Sequence, residues 1–410
     1  MTTATTFNHK AQWVMDCCEA LGKVSQSPAY VDRRYLSQEH KQANALVATW
    51  MQDANMRTWE DGVGNLWGRF ESDSANAKSL LMGSHLDTVV NGGKYDGMLG
   101  VVAPIAVVKY FHEQGIKLPF HIDIVGFCDE EGTRFGSTLL GSRALTGKWQ
   151  NEWANLIDAD GVSLRDAMQS FGLNFDAVNA CAIKGEDILA YLEMHIEQGP
   201  VLEAQNLPTG IVTGIAGAKR MLFNVQGMAG HAGTVPMNSR QDALAGASEM
   251  ILAVEKVAQS NNIVATVGNI ANHPNAVNVI SGNTQFSVDI RSIDDKQRDV
   301  CVASLFAMCQ EIAEKRNLVL TINETHAAPA VKCDSALMLQ LEAATKLAQI
   351  KPFNLVSGAG HDAMAMADIC PVAMLFTRCE KGISHHPKEA IETPDVAATL
   401  AVLYHFIRNF

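Results

Sequence analysis

Residues 80–100, LLMGSHLDTVVNGGKYDGMLG, close an apolar run with one histidine and two aspartates set among glycines. Three chemistries could use such a loop: a metal site, a phosphate cradle, or a plain polar turn between a strand and a helix. Phosphate is disfavoured. NGGKYDG matches neither GxxxxGK[ST] nor GxGxxG, and a carboxylate beside the loop would repel the anion. His85 ends the apolar run, and Asp87 follows two residues later, close enough to accept the proton of the second imidazole nitrogen and so fix the tautomer of a ligating histidine. Asp96, taken alone, reads as a turn residue and helix N-cap before MLGVVAPIAVVKY.

Other apolar runs end in the same way. GFCDEEG closes with three consecutive acids, Asp129, Glu130 and Glu131, whose repulsion at the end of an interior strand calls for a cation. EMHIEQGP ends with His195, followed by Glu197, and GISHHP offers His385 and His386 after a further apolar run. Four strand ends with ligand-type residues are hard to attribute to chance in a chain with 13 histidines. Imidazoles with one bridging carboxylate and further acids form a ligand set for two divalent ions such as Mn²⁺ or Zn²⁺. Such a pair can share a hydroxide and polarise a carbonyl.

The elements that must position these residues follow from the hydrophobic pattern. SLLMG, FHIDIVGFC, ILAYLEMHI and PVAMLFTRC read as strands alternating with helical stretches, which predicts an α/β domain with a parallel or mixed sheet. The rhythm changes between about Gly214 and Ala327. There RMLFNVQG, IVATVGNI, NTQFSVDIRSI and LVLTINE read as strands, separated by two amphipathic helices in β-α-β-β-α-β order, the pattern of a ferredoxin-like α+β domain. The expected organisation is a catalytic domain over 1–213 and 328–410, interrupted by a smaller domain over 214–327. The chain's 410 residues exceed what one ordinary core needs. A net charge of −12 argues against nucleic acid or anionic membrane as a partner. The nine cysteines contain no CxxC pair, and no bilayer-length apolar segment is present; free thiols in a soluble cytoplasmic protein are the expectation.

Six motifs in order, GSHLDTV with GKYDG, DEEG, HIEQGPVLE, GHAGTVPM, SGAGHDA and GISHHP, resemble the M20-type metallopeptidase superfamily. They are most similar to its hydantoinase/carbamoylase branch, which cleaves amide and ureido bonds. The resemblance implies a mixed-sheet dinuclear metallohydrolase domain interrupted by a lid/dimerisation domain, and a homodimer formed through that lid. It implies that His85, Asp96 and His195 hold one ion and Asp96, Glu131 and His385 the other, with Mn²⁺ expected and Zn²⁺, Co²⁺ or Ni²⁺ as alternatives. Glu130 would be the general base and Asp87 the residue that orients His85, while His386 would have no metal role. His231, which by itself reads as a surface-turn histidine, would reach into the partner's active site and stabilise an oxyanion. Asn278 and Arg291 would clamp a substrate carboxylate, with Gln198, the backbone of Gly360 and Arg220 also in contact. The substrate implied is a small anionic ureido compound. Within the branch, GKYDG, FGSTLLGSRALTG and SGAGHDAMAMA are most similar to members that remove the terminal carbamoyl group of allantoate. Hydrolysis of N-carbamoyl-L-amino acids or β-ureidopropionate is the alternative, and a non-catalytic binding protein of the same fold the remote one.

Overall fold

The protein is described by a computed structural model covering residues 4–410. Its contacts divide into two compact units, one running to Thr213 and resuming from Cys333 to Phe410, the other spanning Gly214–Lys332. The first unit opens with α1 (Asn8–Gly22) and α2 (Gln38–Asp53), then β1 (Arg57–Glu60), β2 (Leu66–Phe70) and β3 (Ser79–His85). It continues through α3 (Met98–Glu113), β4 (His121–Phe127), α4 (Leu140–Leu145), α5 (Leu164–Phe171), β5 (Ile188–Ile196), α6 (Val201–Gln205) and β6 (Thr209–Ile215).

In the second unit the order is β7 (Gly217–Gln226), β8 (Gly230–His231), α7 (Ala243–Asn261), β9 (Val264–Thr266), β10 (Ile270–His273), β11 (Val279–Ile280), β12 (Asn283–Ser292), α8 (Asp295–Lys315), β13 (Val319–Ala328) and β14 (Val331–Lys332). The chain then returns to the first unit with α9 (Ser335–Leu347), β15 (Asn354–Ser357), α10 (Ala363–Met366), β16 (Val372–Thr377) and α11 (Thr393–Asn409).

The sheet of the first unit runs β1-β2-β4-β3-β5-β16-β6. Its four central strands are mutually parallel, β3 with β4 and β5, and β5 with β16. The flanks are antiparallel, which makes the sheet mixed. Parallel strands covered on both sides have no water-facing positions, and β3 and β16 are buried along their whole length. Helix α3 is apolar nearly all round because it is enclosed: it packs on β3, β4 and β5 as well as on α1 and α11. Four adjacent parallel strands also point their carboxyl ends the same way, and in such sheets ligands bind outside those ends.

The second unit has its own core, with Phe223 and Phe286 stacked at its centre. Its sheet order, β10-β12-β7-β13, is antiparallel throughout and has the ferredoxin-like arrangement. The run IVATVGNI, expected as one strand, is two. β9 pairs with residues 289–291 and β10 with residues 283–286, leaving the strand interrupted between them. The Ser287 hydroxyl takes up the Asn269 N–H at this bulge, so the interruption leaves that donor paired. A further two-stranded ribbon, β8 with β11, sets His231 opposite Val279.

Close packing of α3 on the sheet depends on Gly100. A Cβ there would lie 2.1 Å from the carbonyl oxygen of Met194 and 2.6 Å from Cβ of Ser84. Gly100→Ala is expected to push the helix off the strands and to destabilise the first unit by about 1–3 kcal/mol, read as a lowered denaturant midpoint.

Candidate metal centre

The candidate residues lie at the ends of the four parallel strands. β3 ends at His85, the acidic turn 129–131 follows β4, His195 is the penultimate residue of β5, and the segment after β16 leads to His385. Asp96 stands in the loop before α3, whose N-cap is Gly97. Its carboxylate does not cap the helix. Instead Oδ1 lies 3.0 Å from Nε2 of His195 and 3.6 Å from Nε2 of His85, while Oδ2 lies 3.1 Å from Nε2 of His385. Glu131 Oε1 is 3.5 Å from the same His385 nitrogen. The two oxygens of one carboxylate thus face two separate donor groups, His85-Asp96-His195 and Asp96-Glu131-His385, each with its atoms within 4.8 Å of one another. His85 with Glu130 and Glu131 forms a third such group.

The chemistry of this donor set fits two divalent ions. His85 Nδ1 donates to the carbonyl of Asp87 and His195 Nδ1 to that of Ile196, both at 2.9 Å. Each bond leaves Nε2 as the nitrogen turned toward Asp96, the tautomer a ligand needs. Gly97 makes room for this: a Cβ on it would meet the His85 ring at 2.5 Å. Residue 97 also adopts φ of 74°, which a glycine takes without strain.

Asp87 serves the site differently from the expectation. Its backbone, rather than its carboxylate, takes the His85 proton, and the carboxylate stands 3.6 Å from Nδ1. The side chain accepts the N–H groups of Glu130 at 3.0 Å and Glu131 at 3.1 Å, so it shapes the acidic turn. Asp129 takes the strained φ of 53° there, with both side-chain oxygens buried and unpartnered among the described residues. Glu197 lies outside the cluster, and its carboxylate caps α6 through Val201 and Leu202. His386 is exposed, with Nδ1 accepting the Lys388 N–H.

Of the expected substrate contacts, Gln198 and Gly360 lie in this unit. Gln198 Nε2 donates to Asp96 Oδ2 at 2.9 Å, and a Cβ on Gly360 would stand 3.8 Å from Glu130 Oε1. The remaining ones belong to the second unit. The Ala232 N–H bonds to the Asn278 carbonyl, which sets exposed Asn278 beside the His231 turn. Arg291 is bidentate on Asp289, and Arg220 donates to the same carboxylate at 3.1 Å. Arg220 therefore faces an acid across the strand pair and shares it with Arg291.

Residues not singled out from the sequence complete the support of the first unit's cluster. Glu193, fully buried on β5, accepts the Ser84 hydroxyl and the Ala363 N–H, both at 2.8 Å, and so ties β3, β5 and the segment after Gly360 together. Buried Arg33 donates to the carbonyls of Leu86, Leu21 and Val24 beneath the His85 loop. An isolated glutamate and arginine inside apolar or loop sequence give no periodic signal that would have marked them.

The local charges perturb one another strongly. Burial would raise the Asp96 carboxyl, but hydrogen bonds from His195, His385 and His85 hold it well below the usual range. Burial opposes protonation of His85 and His195, yet Asp96 raises both. The hydrogen bond to Asp96 raises His385 to about 9. Burial, then Asp96, raises Glu131 to about 7, and burial lifts Glu130 well above its ordinary value despite His85. Without metal, His385 therefore keeps its added proton at neutral pH, and a cation must displace it. The apparent Mn²⁺ affinity is expected to rise with pH up to about 9, with proton release seen by calorimetry in buffers of different ionisation heat. An affinity independent of pH would show that these imidazoles are not ligands.

Residues 81–409 match the sequence model of peptidase family M20/M25/M40. The chain is 40% identical to an allantoate deiminase of Arabidopsis thaliana, covering 95% of this chain and 80% of that protein. It is equally 40% identical to an N-carbamoyl-L-amino acid amidohydrolase of Geobacillus stearothermophilus, over 94% of this chain and 95% of that one. Among solved structures it is similar to an amidase of the hydantoinase/carbamoylase family from Burkholderia multivorans, with a TM-score of 0.90, 30% identity and 97% of both chains covered. With its clustered histidines and carboxylates at the ends of a mixed sheet, the chain belongs to peptidase family M20/M25/M40 and is a hydrolase of carbon–nitrogen bonds.

Proposed function

We propose that the protein is an amidohydrolase that removes the terminal carbamoyl group of allantoate, yielding ureidoglycine, carbon dioxide and ammonia. The observation that carries the reaction class is the placement of Asp96, whose Oδ1 faces His195 and His85 while its Oδ2 faces His385. Two divalent ions, Mn²⁺ in this reading, would supply electrophilic activation of the ureido carbonyl and acidify the attacking water. His85, Asp96 and His195 would hold one of them and Asp96, Glu131 and His385 the other.

Glu130 is the general base in this reading. Its carboxylate borders the donor cluster and has a raised pKa, which suits a group that takes a proton from water and returns it to the leaving nitrogen. Asp87 holds the Glu130 backbone in the acidic turn and so sets where that carboxylate stands. The substrate carboxylate is assigned to Asn278 and Arg291, with Gln198, Gly360 and Arg220 as further contacts. The planar guanidiniums of Arg220 and Arg291, side by side on Asp289, support recognition of a carboxylate. His231 is proposed to act in a homodimer on the partner's substrate. Its Nδ1 accepts the Gly233 N–H, so Nε2 bears the proton and is a donor suited to an oxyanion.

A panel of allantoate, ureidoglycolate, N-carbamoyl-L-amino acids and β-ureidopropionate with Mn²⁺-loaded protein is expected to give fastest ammonia release from allantoate, abolished by chelator. Preference for N-carbamoyl amino acids would move the substrate while leaving the reaction class intact. Glu130→Gln is expected to lower kcat by about 10²–10⁴-fold with metal content unchanged; retained turnover would remove Glu130 from the base role. Mixing inactive Glu130→Gln and His231→Ala proteins is expected to restore up to about a quarter of the active sites in a two-fold dimer. No recovery after subunit exchange would place His231 outside the partner's reaction.

A further inference from the structure

We propose that Glu389 is a positioning residue for Asp96, and that with Ser384 it clamps the Asp96 loop to the segment carrying His385. The inference rests on the metal-centre reading above and extends it to a residue with no contact to the donor atoms of the histidines. Glu389 is 5% exposed. Its Oε1 accepts the N–H of Tyr95 at 2.8 Å and that of Asp96 at 3.1 Å. Its Oε2 lies 3.1 Å from the Ser384 hydroxyl, which in turn lies 2.8 Å from Asp96 Oδ2.

Glu389 thus holds the Asp96 backbone directly, and the Ser384 hydroxyl, whose single proton either carboxylate can accept, stands between Glu389 Oε2 and Asp96 Oδ2. The oxygen reached in this way is the one that faces His385. Ser384 precedes His385 in the chain, so the clamp fixes the distance between two residues of the same donor group. A misplacement of about 1 Å is enough to spoil such a site.

A second observation stands apart from these hydrogen bonds. A Cβ on Gly93 would fall 2.3 Å from both Cδ and Oε1 of Glu389. Gly93 has no left-handed backbone to account for it, so its place in NGGKYDG is explained by the space the Glu389 carboxylate occupies beneath the loop. Nor is Glu389 engaged as a helix cap: α11 begins only at Thr393 and has no side-chain cap.

The competing role is a brace that stabilises the fold without affecting the ions. Equilibrium Mn²⁺ binding against a chelator, together with the melting temperature of the metal-free protein, separates the two. Glu389→Gln keeps an acceptor for both N–H groups and offers its amide to Ser384, so it is expected to bind Mn²⁺ much as the wild type does. Glu389→Leu is expected to lose about 10–100-fold in affinity, with the loss concentrated in one of the two equivalents. Gly93→Ala, which retains the carboxylate but puts a methyl group in its space and so displaces it, is expected to shift affinity in the same direction, and with Ser384→Ala it decides the matter should Glu389→Leu not fold. Folded Glu389→Leu protein with wild-type affinity at both equivalents, or folded Gly93→Ala and Ser384→Ala proteins with wild-type affinity should Glu389→Leu not fold, would overturn the proposal, whatever their melting temperature. A wild-type protein that takes up no Mn²⁺ would overturn the metal-centre reading itself, and this inference with it.

Discussion

The structure of the first unit depends on keeping mutually repelling carboxylates together in a buried place. Asp87, Asp96, Asp129, Glu130 and Glu131 converge where solvent is scarce, and burying charge without compensation costs far more than any single packing contact returns. Three imidazoles around Asp96 and two backbone N–H groups on Asp87 meet part of that cost. Asp129 keeps both oxygens unpartnered among the described residues, and burial pushes its carboxyl well above the ordinary range. A site held in this state is poised for cations, since each bound charge would relieve repulsion that the fold otherwise endures.

The parallel sheet makes this convergence possible. Adjacent parallel strands deliver successive chain ends to the same edge, so β3, β4, β5 and β16 can each contribute from a separate stretch of sequence. Rigid strands fix His85 and His195 more tightly than loops could. The loops that follow are then held by buried polar side chains, Glu193 between two strands and Arg33 under the His85 loop. The second unit is built on a different plan, an antiparallel sheet with its own core, and it carries its polar groups on strands and a short ribbon.

Much of this was legible in the residues. Strand-forming apolar runs and their terminal histidines and acids showed at the level of pattern, because a buried parallel strand leaves a near-continuous hydrophobic signature and any polar residue at its end stands out. The β-α-β-β-α-β rhythm was equally visible, although IVATVGNI hid a bulge that no periodicity reveals. Less legible were the supports. Nothing local distinguishes Glu193 from a polar residue in an edge strand, or shows that Asp289, two residues before Arg291, also takes Arg220, until cross-strand register brings that arginine to the same carboxylate.

By itself the sequence determined the kinds of donor present, their order, and the strands that carry them, because these are properties of neighbouring residues. Tertiary structure alone decided which oxygen of Asp96 meets which imidazole, that the Asp87 carboxylate holds the acidic turn while its carbonyl aims His85, and that Gly97 and Gly93 are there for the side chains packed above them. The bond from Tyr95 N–H to Glu389 spans 294 positions along the chain. Hydrogen bonds act over about 3 Å whatever the sequence separation, so only the folded chain could show which of its many acids would close that gap.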